Sequence, residues 1–374
     1  MRILFTCGGT AGHVNPAVGL TRVFQQKHPD CEVLFVGADG GMETRLVPKE
    51  GYEIKTVTIT SFRRSFSAKG IAHNMGTAYN MIRSRRQAAK ILRDFRPDLV
   101  VGMGGYASYP VVRQAARMGI PTAVHESNAI PGLTTRALAK VVDRVMVGLE
   151  DSRRYYRQQD KVVVTGTPVR TDFFRYTRQQ AREKLGLKDE RPLLLSYWGS
   201  LGAQVMNGHT VQLMKLEQEK GCPFHHIHSA GRDYETVMAA LDELGVDARS
   251  GALQVREYIY DMPLVMAAAD VVVCRAGAST ISELTAIAKP SVLVPSPNVT
   301  ANHQEKNARA LERQGAAAVL LEPDCSGSVL FDAVSRLLND QQGRERMSRA
   351  AGAAGTPDAG ERIYGVLTEL LNHR

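Results

Sequence analysis

A chain of 374 residues with 44% hydrophobic and 23% charged residues is an ordinary soluble globular protein. It is long enough for two domains, since single cores stop growing near ~250–300 residues. Its cysteines (Cys7, Cys31, Cys222, Cys274 and Cys325) are odd in number, dispersed and free of C-x-x-C spacing, which argues against a disulfide framework or a structural zinc site. No apolar stretch is long enough to span a bilayer, and the net charge of +9 is gathered in one place rather than spread.

The chain opens on the strand-like run Arg2-Ile3-Leu4-Phe5 without a basic leader or a small-residue cleavage site, the opening expected of a protein kept in the cytosol. Directly after it comes Gly8-Gly9-Thr10-Ala11-Gly12-His13. A strand, a glycine turn and a helix start leave backbone N–H groups pointing outward, where a phosphate is favoured. His13 adds a titratable imidazole suited to acid/base chemistry. Thr10 stands where a dinucleotide fingerprint needs its second glycine, and no Lys-Ser or Lys-Thr closes a Walker A loop. A tight structural turn is the competing reading.

Further strands are predicted at Glu32–Val36, Leu99–Met103, Thr122–His125 and Arg144–Val147. Between Glu53 and Asp94 there is no acidic residue, while Arg63, Arg64, Lys69, Arg83, Arg85 and Arg86 stand among its basic residues, interleaved with Phe62, Phe66, Met75 and Tyr79. That composition suits a surface resting on anionic lipid head groups; a solvated helix face is the plainer alternative. No nucleic-acid-binding motif accompanies it, so nucleic acid is not expected as a partner. Val162–Pro168 reads as a hinge because Thr167-Pro168 disfavours helix.

A second set of strands follows at Leu193–Ser196, Phe224–His228, Leu253–Tyr258, Val271–Cys274 and Ser291–Val294. Strands alternating with helices predict an α/β fold of two doubly wound parallel-sheet domains, with a ligand cleft outside the C-terminal strand ends. Cys222, His225, His226 and His228 are better read as strand than as a metal cluster, because only His226 and His228 share a face. Four junctions share one design: ILFTCGGTAGH, LVVGMGGYAS, LLLSYWGSLGA and VVVCRAGAST each run from a buried strand through a small-residue turn into a helix. Together they suit a diphosphate held by backbone donors, and no D-x-D pair occurs to hold a metal on it. In the last junction the helix is expected to carry Glu283 in its first turn, either stabilising the dipole by ~0.3–1 kcal/mol or accepting from ribose hydroxyls. Gln304, at another helix start after Pro295-Ser296-Pro297-Asn298, is placed to read sugar hydroxyls.

With these residues in order, the chain resembles the MurG family of N-acetylglucosamine transferases, which convert lipid I to lipid II. The resemblance rests on GGTAGHVNPA, VVGMGGYASYPVV, HESNAIPGLTTRALA, TGTPVR, GSLGAQVMN, CRAGASTISE and SPNVTANHQEKNA, and covers residue 1 to about residue 323. It implies a glycosyltransferase B fold: an acceptor- and membrane-associating domain over 1–165, joined by a returning helix over about 355–374, and a donor-binding domain over 166–354. It implies donor contacts to UDP-N-acetylglucosamine at Thr10, Ala11, Gly12, Asn128, Arg170, Ser200 and Ile259, at Ala278, Ser279, Thr280, Ile281, Ser282 and Glu283, and at Gln304. His13 is expected as general base, with Glu126 in support and His125 behind it. Gly104, Gly105 and Tyr106, with the basic segment, are assigned to the acceptor and membrane side.

The reaction implied is attack of the acceptor N-acetylmuramic acid C4 hydroxyl on the donor C1, with inversion, UDP leaving, and neither cofactor nor metal. The resemblance further implies a peripheral protein on the cytoplasmic face of the membrane, able to associate with other proteins of cell-wall synthesis. Ala11, Tyr109 and Trp198 depart from the usual family pattern at turn positions, which bears on rate or donor fit. A sugar-nucleotide 2-epimerase, a natural-product glycosyltransferase and a non-catalytic UDP-sugar-binding scaffold are the alternatives.

Overall fold

Apolar, β-branched segments such as Ile3-Leu4-Phe5 and Leu99-Val100-Val101 are buried on both faces, the signature of parallel strands covered by helices on each side. The computed structural model describes residues 1–59, 68–199, 203–299 and 302–372. It divides into two compact units, residues 1–170 with 357–374, and residues 171–356.

In the first unit, seven parallel strands are described: β1 (Arg2–Thr6), β2 (Glu32–Ala38), β3 (Ile54–Val57), β4 (Leu99–Gly102), β5 (Thr122–Glu126), β6 (Arg144–Val147) and β7 (Val162–Val164), in the order β3-β2-β1-β4-β5-β6-β7. Helices α1 (Ala11–Lys27), α2 (Glu43–Lys49), α3 (Ala68–Phe95), α4 (Ser108–Arg117), α5 (Leu133–Leu138) and α6 (Glu150–Arg153) connect them. The second unit carries six: β8 (Leu193–Tyr197), β9 (His225–Ser229), β10 (Leu253–Arg256), β11 (Val271–Cys274), β12 (Ser291–Leu293) and β13 (Ala318–Val319), in the order β10-β9-β8-β11-β12-β13. Its helices are α7 (Arg178–Lys184), α8 (Gln204–Glu219), α9 (Tyr234–Glu243), α10 (Met262–Ala268), α11 (Ala278–Ala286), α12 (His303–Glu312), α13 (Gly327–Asn339) and α14 (Gln341–Ala354). Each sheet reverses its order once, between β1 and β4 and between β8 and β11. In open α/β sheets that switch point is where ligands bind. The four small-residue junctions follow these four strands.

Three strands escape the sequence reading, β3, β7 and β13. β3 has only four residues at a sheet edge, with Lys55 inside it, and β13 has two. The segment read as a hinge begins instead with an edge strand: Val162–Val164 pairs with β6, and Thr165 N–H continues the ladder to the Val147 carbonyl at 3.0 Å. Three consecutive valines favour extended backbone, which Thr167-Pro168 ends.

The last helix, α15 (Ala359–Asn372), packs on α1. Ile363, Leu367 and Leu370 join Ile3, Phe5, Leu20, Phe24 and Phe35 in one core, and Tyr364 lies 5.0 Å from Phe24, centroid to centroid. Lys27 Nζ reaches Glu361 at 2.9 Å, although this exposed pair adds little. Among the described residues no helix is long and apolar enough to cross a membrane. Because Ile363 is fully buried, Ile363→Ala should lower unfolding free energy by ~2–5 kcal/mol. Urea unfolding checks this, and a loss below ~1 kcal/mol would mean that α15 does not complete the core.

Candidate active site

In the first unit the turn after β1 is built around a carboxylate that the sequence reading missed. Glu43 is fully buried; its Oε1 accepts from Ala38 N–H at 2.8 Å and its Oε2 from Gly9 N–H at 3.1 Å. Side chains at Gly8, Gly37 or Gly41 would place a Cβ 2.3 to 2.6 Å from Glu43 atoms, so three glycines cradle one carboxylate. Gly37, Gly40, Gly41 and Glu43 form a further glycine-bearing junction after a strand, which was the available signal. Thr10 caps α1 with its backbone in extended conformation; its hydroxyl lies 3.4 Å from His13 Nδ1 and does not cap the helix N–H groups, so the first turn presents those of Ala11 and Gly12, both half-buried.

Against this turn stands the second one. A Cβ at Gly105 would lie 2.2 Å from the Gly8 carbonyl oxygen, and one at Gly104 would lie 2.6 Å from His13 Cδ2 and 2.8 Å from its Nε2. Both glycines have positive φ, 83° and 104°, so the backbone conformation and the contact each demand glycine. Ser108 Oγ, within donating distance of the Thr6 carbonyl at 3.0 Å and the Gly104 carbonyl at 2.8 Å, fastens the second turn to the first. Tyr106 rests over Gly9, and burial, aided by the Glu43 charge, pushes its phenol pKa up so that it stays protonated.

His13 is half-buried at this junction, its Nδ1 2.7 Å from the Gly8 carbonyl oxygen. A carbonyl only accepts, so Nδ1 carries the hydrogen and Nε2 keeps its lone pair in the neutral ring. Nε2 is the nitrogen on the Gly104 side.

Neighbouring candidates have structural work. Glu126 Oε1 accepts from Asn128 N–H at 3.1 Å and from Asn128 Nδ2 at 2.9 Å, while Oε2 accepts from Gly132 N–H at 2.9 Å. Glu126 thus organises the loop that carries Asn128. His125 is buried, its Nε2 donates to the Gly166 carbonyl at 2.8 Å, and burial pushes its pKa down, so it stands in reserve poorly. Arg170, half-buried, closes the first unit's main segment.

Of the acceptor-side assignments, Phe62, Arg63, Arg64 and Phe66 lie outside the described residues. Lys69, Met75 and Tyr79 fall within α3, whose backbone is described there. Further along α3, Arg83, Arg85, Arg86, Lys90 and Arg93 are exposed, while Ser84, Ala88, Ile91 and Leu92 are buried. The helix therefore has an apolar inner face and a basic outer one.

In the second unit Ser200 lies outside the described residues, but both sides of its turn are visible. Trp198 is buried and donates from Nε1 to Thr210 Oγ1 at 3.1 Å, so this family departure anchors the turn on α8. Gly199 has φ 95°, and α8 begins without a side-chain cap. Helix α11 likewise has no side-chain cap, its N-cap being Gly277, and presents the N–H groups of Ala278, Ser279 and Thr280. Ile281 turns its side chain into the core, and its N–H bonds the Gly277 carbonyl at 2.9 Å.

Glu283 belongs to the second turn of α11 rather than the first, because the helix begins at Ala278; the dipole role expected for it falls away. Ser282 Oγ donates to the Ala278 carbonyl at 2.9 Å. Ile259 is buried in the loop after β10, and that strand ends at Arg256 rather than Tyr258. Gln304, on the first turn of α12, accepts from Ser296 N–H at 2.9 Å and so shapes the preceding loop. Arg275 pairs with Glu322, donates to the Val294 carbonyl at 3.1 Å and lies 5.8 Å from the Trp198 ring centroid.

Two parallel sheets with glycine-built turns at both switch points define a class, and comparison with known proteins identifies it as glycosyltransferase. Residues 3–147 match the glycosyltransferase family 28 N-terminal domain, and residues 197–363 match its C-terminal domain. A relative from Acetivibrio thermocellus is 40% identical over 375 residues, covering 100% of this chain and 99% of its own. Another, from Caldanaerobacter subterraneus subsp. tengcongensis, is 41% identical over 364 residues, covering 97% and 98%. Both are named UDP-N-acetylglucosamine--N-acetylmuramyl-(pentapeptide) pyrophosphoryl-undecaprenol N-acetylglucosamine transferase. The crystal structure of Acinetobacter baumannii MurG is 25% identical with a TM-score of 0.76, covering 98% of this chain and 99% of that one. A UDP-GlcNAc 2-epimerase from Neisseria meningitidis, 14% identical with a TM-score of 0.68 over 99% and 100% of the two chains, shares the fold alone. The chain belongs to the MurG family of glycosyltransferases.

Because Gly104 and His13 are in contact, Gly104→Ala should displace the imidazole and lower glycosyl transfer by at least ~10-fold. Steady-state kinetics with a melting curve check this: wild-type turnover in the folded variant would show that the ring position does not matter.

Proposed function

We propose that this protein transfers N-acetylglucosamine from UDP-N-acetylglucosamine to the C4 hydroxyl of the N-acetylmuramic acid of lipid I, with inversion at C1 and without a metal. The observation that carries the chemistry is the fixed tautomer of His13: the Gly8 carbonyl holds the hydrogen on Nδ1, leaving Nε2 to accept the proton of the attacking hydroxyl. A single displacement by that hydroxyl inverts C1 as the UDP leaving group departs.

Charge on the departing diphosphate is met by the uncapped helix N-termini of α8 and α11 in the second unit, together with Ser200. Amides and hydroxyls there supply the stabilisation that a metal supplies elsewhere, in keeping with a sequence that lacks a D-x-D pair. Glu283 accepts from the ribose hydroxyls, Ile259 offers backbone groups to uracil, and Gln304 and the first turn of α11 read the sugar. On this reading the first unit takes the acceptor and the second the donor. His13→Ala should lower turnover ~10²–10⁴-fold while UDP affinity stays within ~2-fold. Transfer of labelled N-acetylglucosamine to a short-chain lipid I analogue, run with and without chelator, measures it. Near-normal turnover in the variant would remove His13 from the base role, and loss of wild-type product in chelator would overturn the metal-free mechanism.

The basic outer face of α3 supports a peripheral position on the cytoplasmic side of the membrane, where a polyprenyl-linked acceptor is anchored. Each arginine near an anionic surface contributes ~1 kcal/mol, so Arg83→Glu, Arg85→Glu and Arg86→Glu together should weaken binding to anionic vesicles at least ~100-fold. Vesicle sedimentation at low and high salt checks this; unchanged, salt-insensitive binding would place the contact elsewhere.

A further inference from the structure

Among the apolar residues that α8 buries, Met206, Val211, Leu213 and Met214, stand three polar ones where a helix on a sheet is ordinarily apolar throughout. Asn207, Thr210 and Glu217 share one helix face, and they are buried together with Ser196 of β8 and His226 and His228 of β9. One continuous chain of hydrogen bonds joins all of them but Thr210. Glu217 lies 3.0 Å from His226 Nδ1, His226 Nε2 is 2.7 Å from Ser196 Oγ, Ser196 Oγ is 2.7 Å from His228 Nδ1, and His228 Nε2 is 3.1 Å from Asn207 Oδ1. Asn207 Nδ2 then donates to the Ala230 carbonyl at 3.0 Å and to Asp233 at 2.8 Å.

Donor and acceptor chemistry sets the Asn207 end of this chain. Asn207 donates through its nitrogen, so its oxygen accepts and His228 carries hydrogen on Nε2. Burial holds His228 neutral, its pKa pushed down to about 3, and its Nδ1 lies 2.7 Å from the Ser196 hydroxyl and 3.2 Å from the Ser196 carbonyl. The same hydroxyl lies 2.7 Å from His226 Nε2, and His226 Nδ1 faces Glu217, whose carboxyl pKa burial pushes up.

We infer that Ser196, His226, His228 and Glu217 are positioning residues that fix the axial register of α8, and through it the N–H groups of Gln204, Val205 and Met206 that seat the donor diphosphate. Apolar packing is non-directional and tolerates a slide along the helix axis; hydrogen bonds at both ends of a helix do not. The relay grips α8 at Glu217 near its C-terminus and at Asn207 in its first turns, beside the N–H groups of Gln204, Val205 and Met206 that the uncapped terminus presents. Trp198, which enters the turn, is tied to the same helix face through Thr210. This inference rests on the reading of that helix terminus as a UDP seat.

The test replaces both members of the buried pair at once, Glu217→Leu with His226→Leu, which leaves no unpaired buried charge and tends to preserve folding. UDP affinity by titration calorimetry and the donor KM should both worsen ~5–10-fold, while kcat at saturating donor and acceptor KM stay within ~2-fold. His228→Leu should behave likewise, and His228→Gln, which keeps a donor for Asn207, should recover most of the loss. If the double variant does not fold, Ser196→Ala cuts the relay with one atom removed and should cost ~3-fold in UDP affinity. Wild-type UDP affinity in the folded variants, or donor and acceptor KM rising together, would overturn the positioning role. Wild-type protein that binds no UDP would instead overturn the reading of the site itself.

Discussion

A single carboxylate, Glu43, holds the first unit's functional surface together. Its two oxygens satisfy the N–H groups of Ala38, at the end of β2, and of Gly9, in the turn after β1. A buried carboxylate without donors is costly, and these two amides without an acceptor would be too, so each side stabilises the other. The position of Gly9 fixes Gly8, whose carbonyl orients His13, and Gly8 abuts Gly105, which brings the second turn into place. The tautomer of His13 is thus set two steps from a buried carboxylate. Four glycines, at 8, 37, 41 and 105, are explained by this arrangement without any appeal to ligand.

The second unit solves the same problem with different chemistry. Where the first relies on a glycine cradle and one carboxylate, the second ties α8 through Glu217 and Asn207 to two histidines that a serine bridges. Both arrangements place directional bonds immediately behind a small-residue turn. Small residues give a phosphate access to backbone, but they provide little packing to keep that backbone still. The polar networks provide the stiffness.

What the sequence made legible follows from what kind of signal each feature leaves. Both switch-point pairs of strands were readable because Ile3–Phe5, Leu99–Val101, Leu193–Leu195 and Val271–Val273 are uninterrupted apolar runs, and the four turns were readable because glycine, alanine and serine follow them. Edge strands β3 and β13 were not, being too short and too mixed to show a period. Glu43 stayed hidden because an acidic residue at a helix start is usually a solvated one, and its importance arises only when β2 brings it beside Gly9. Glu283 was assigned one turn too early because helix starts after small residues are hard to fix from sequence. His226 and His228 were correctly placed on one strand face, but their bonds to Ser196 required pairing of β8 with β9.

The return of α15 to the first unit has a consequence for how the chain is made. Synthesis delivers β1 through β7 early, yet the core beneath α1 waits for Ile363, Leu367 and Leu370, which come only after the whole second unit. Domains generally fold in the order they leave the ribosome, but here the later unit holds all its strands before the earlier one can be completed. For that interval Leu20 and Phe24 belong to a core without its lid, an apolar face open to chaperones or to another nascent chain. Docking of α15 on α1 therefore closes this core last.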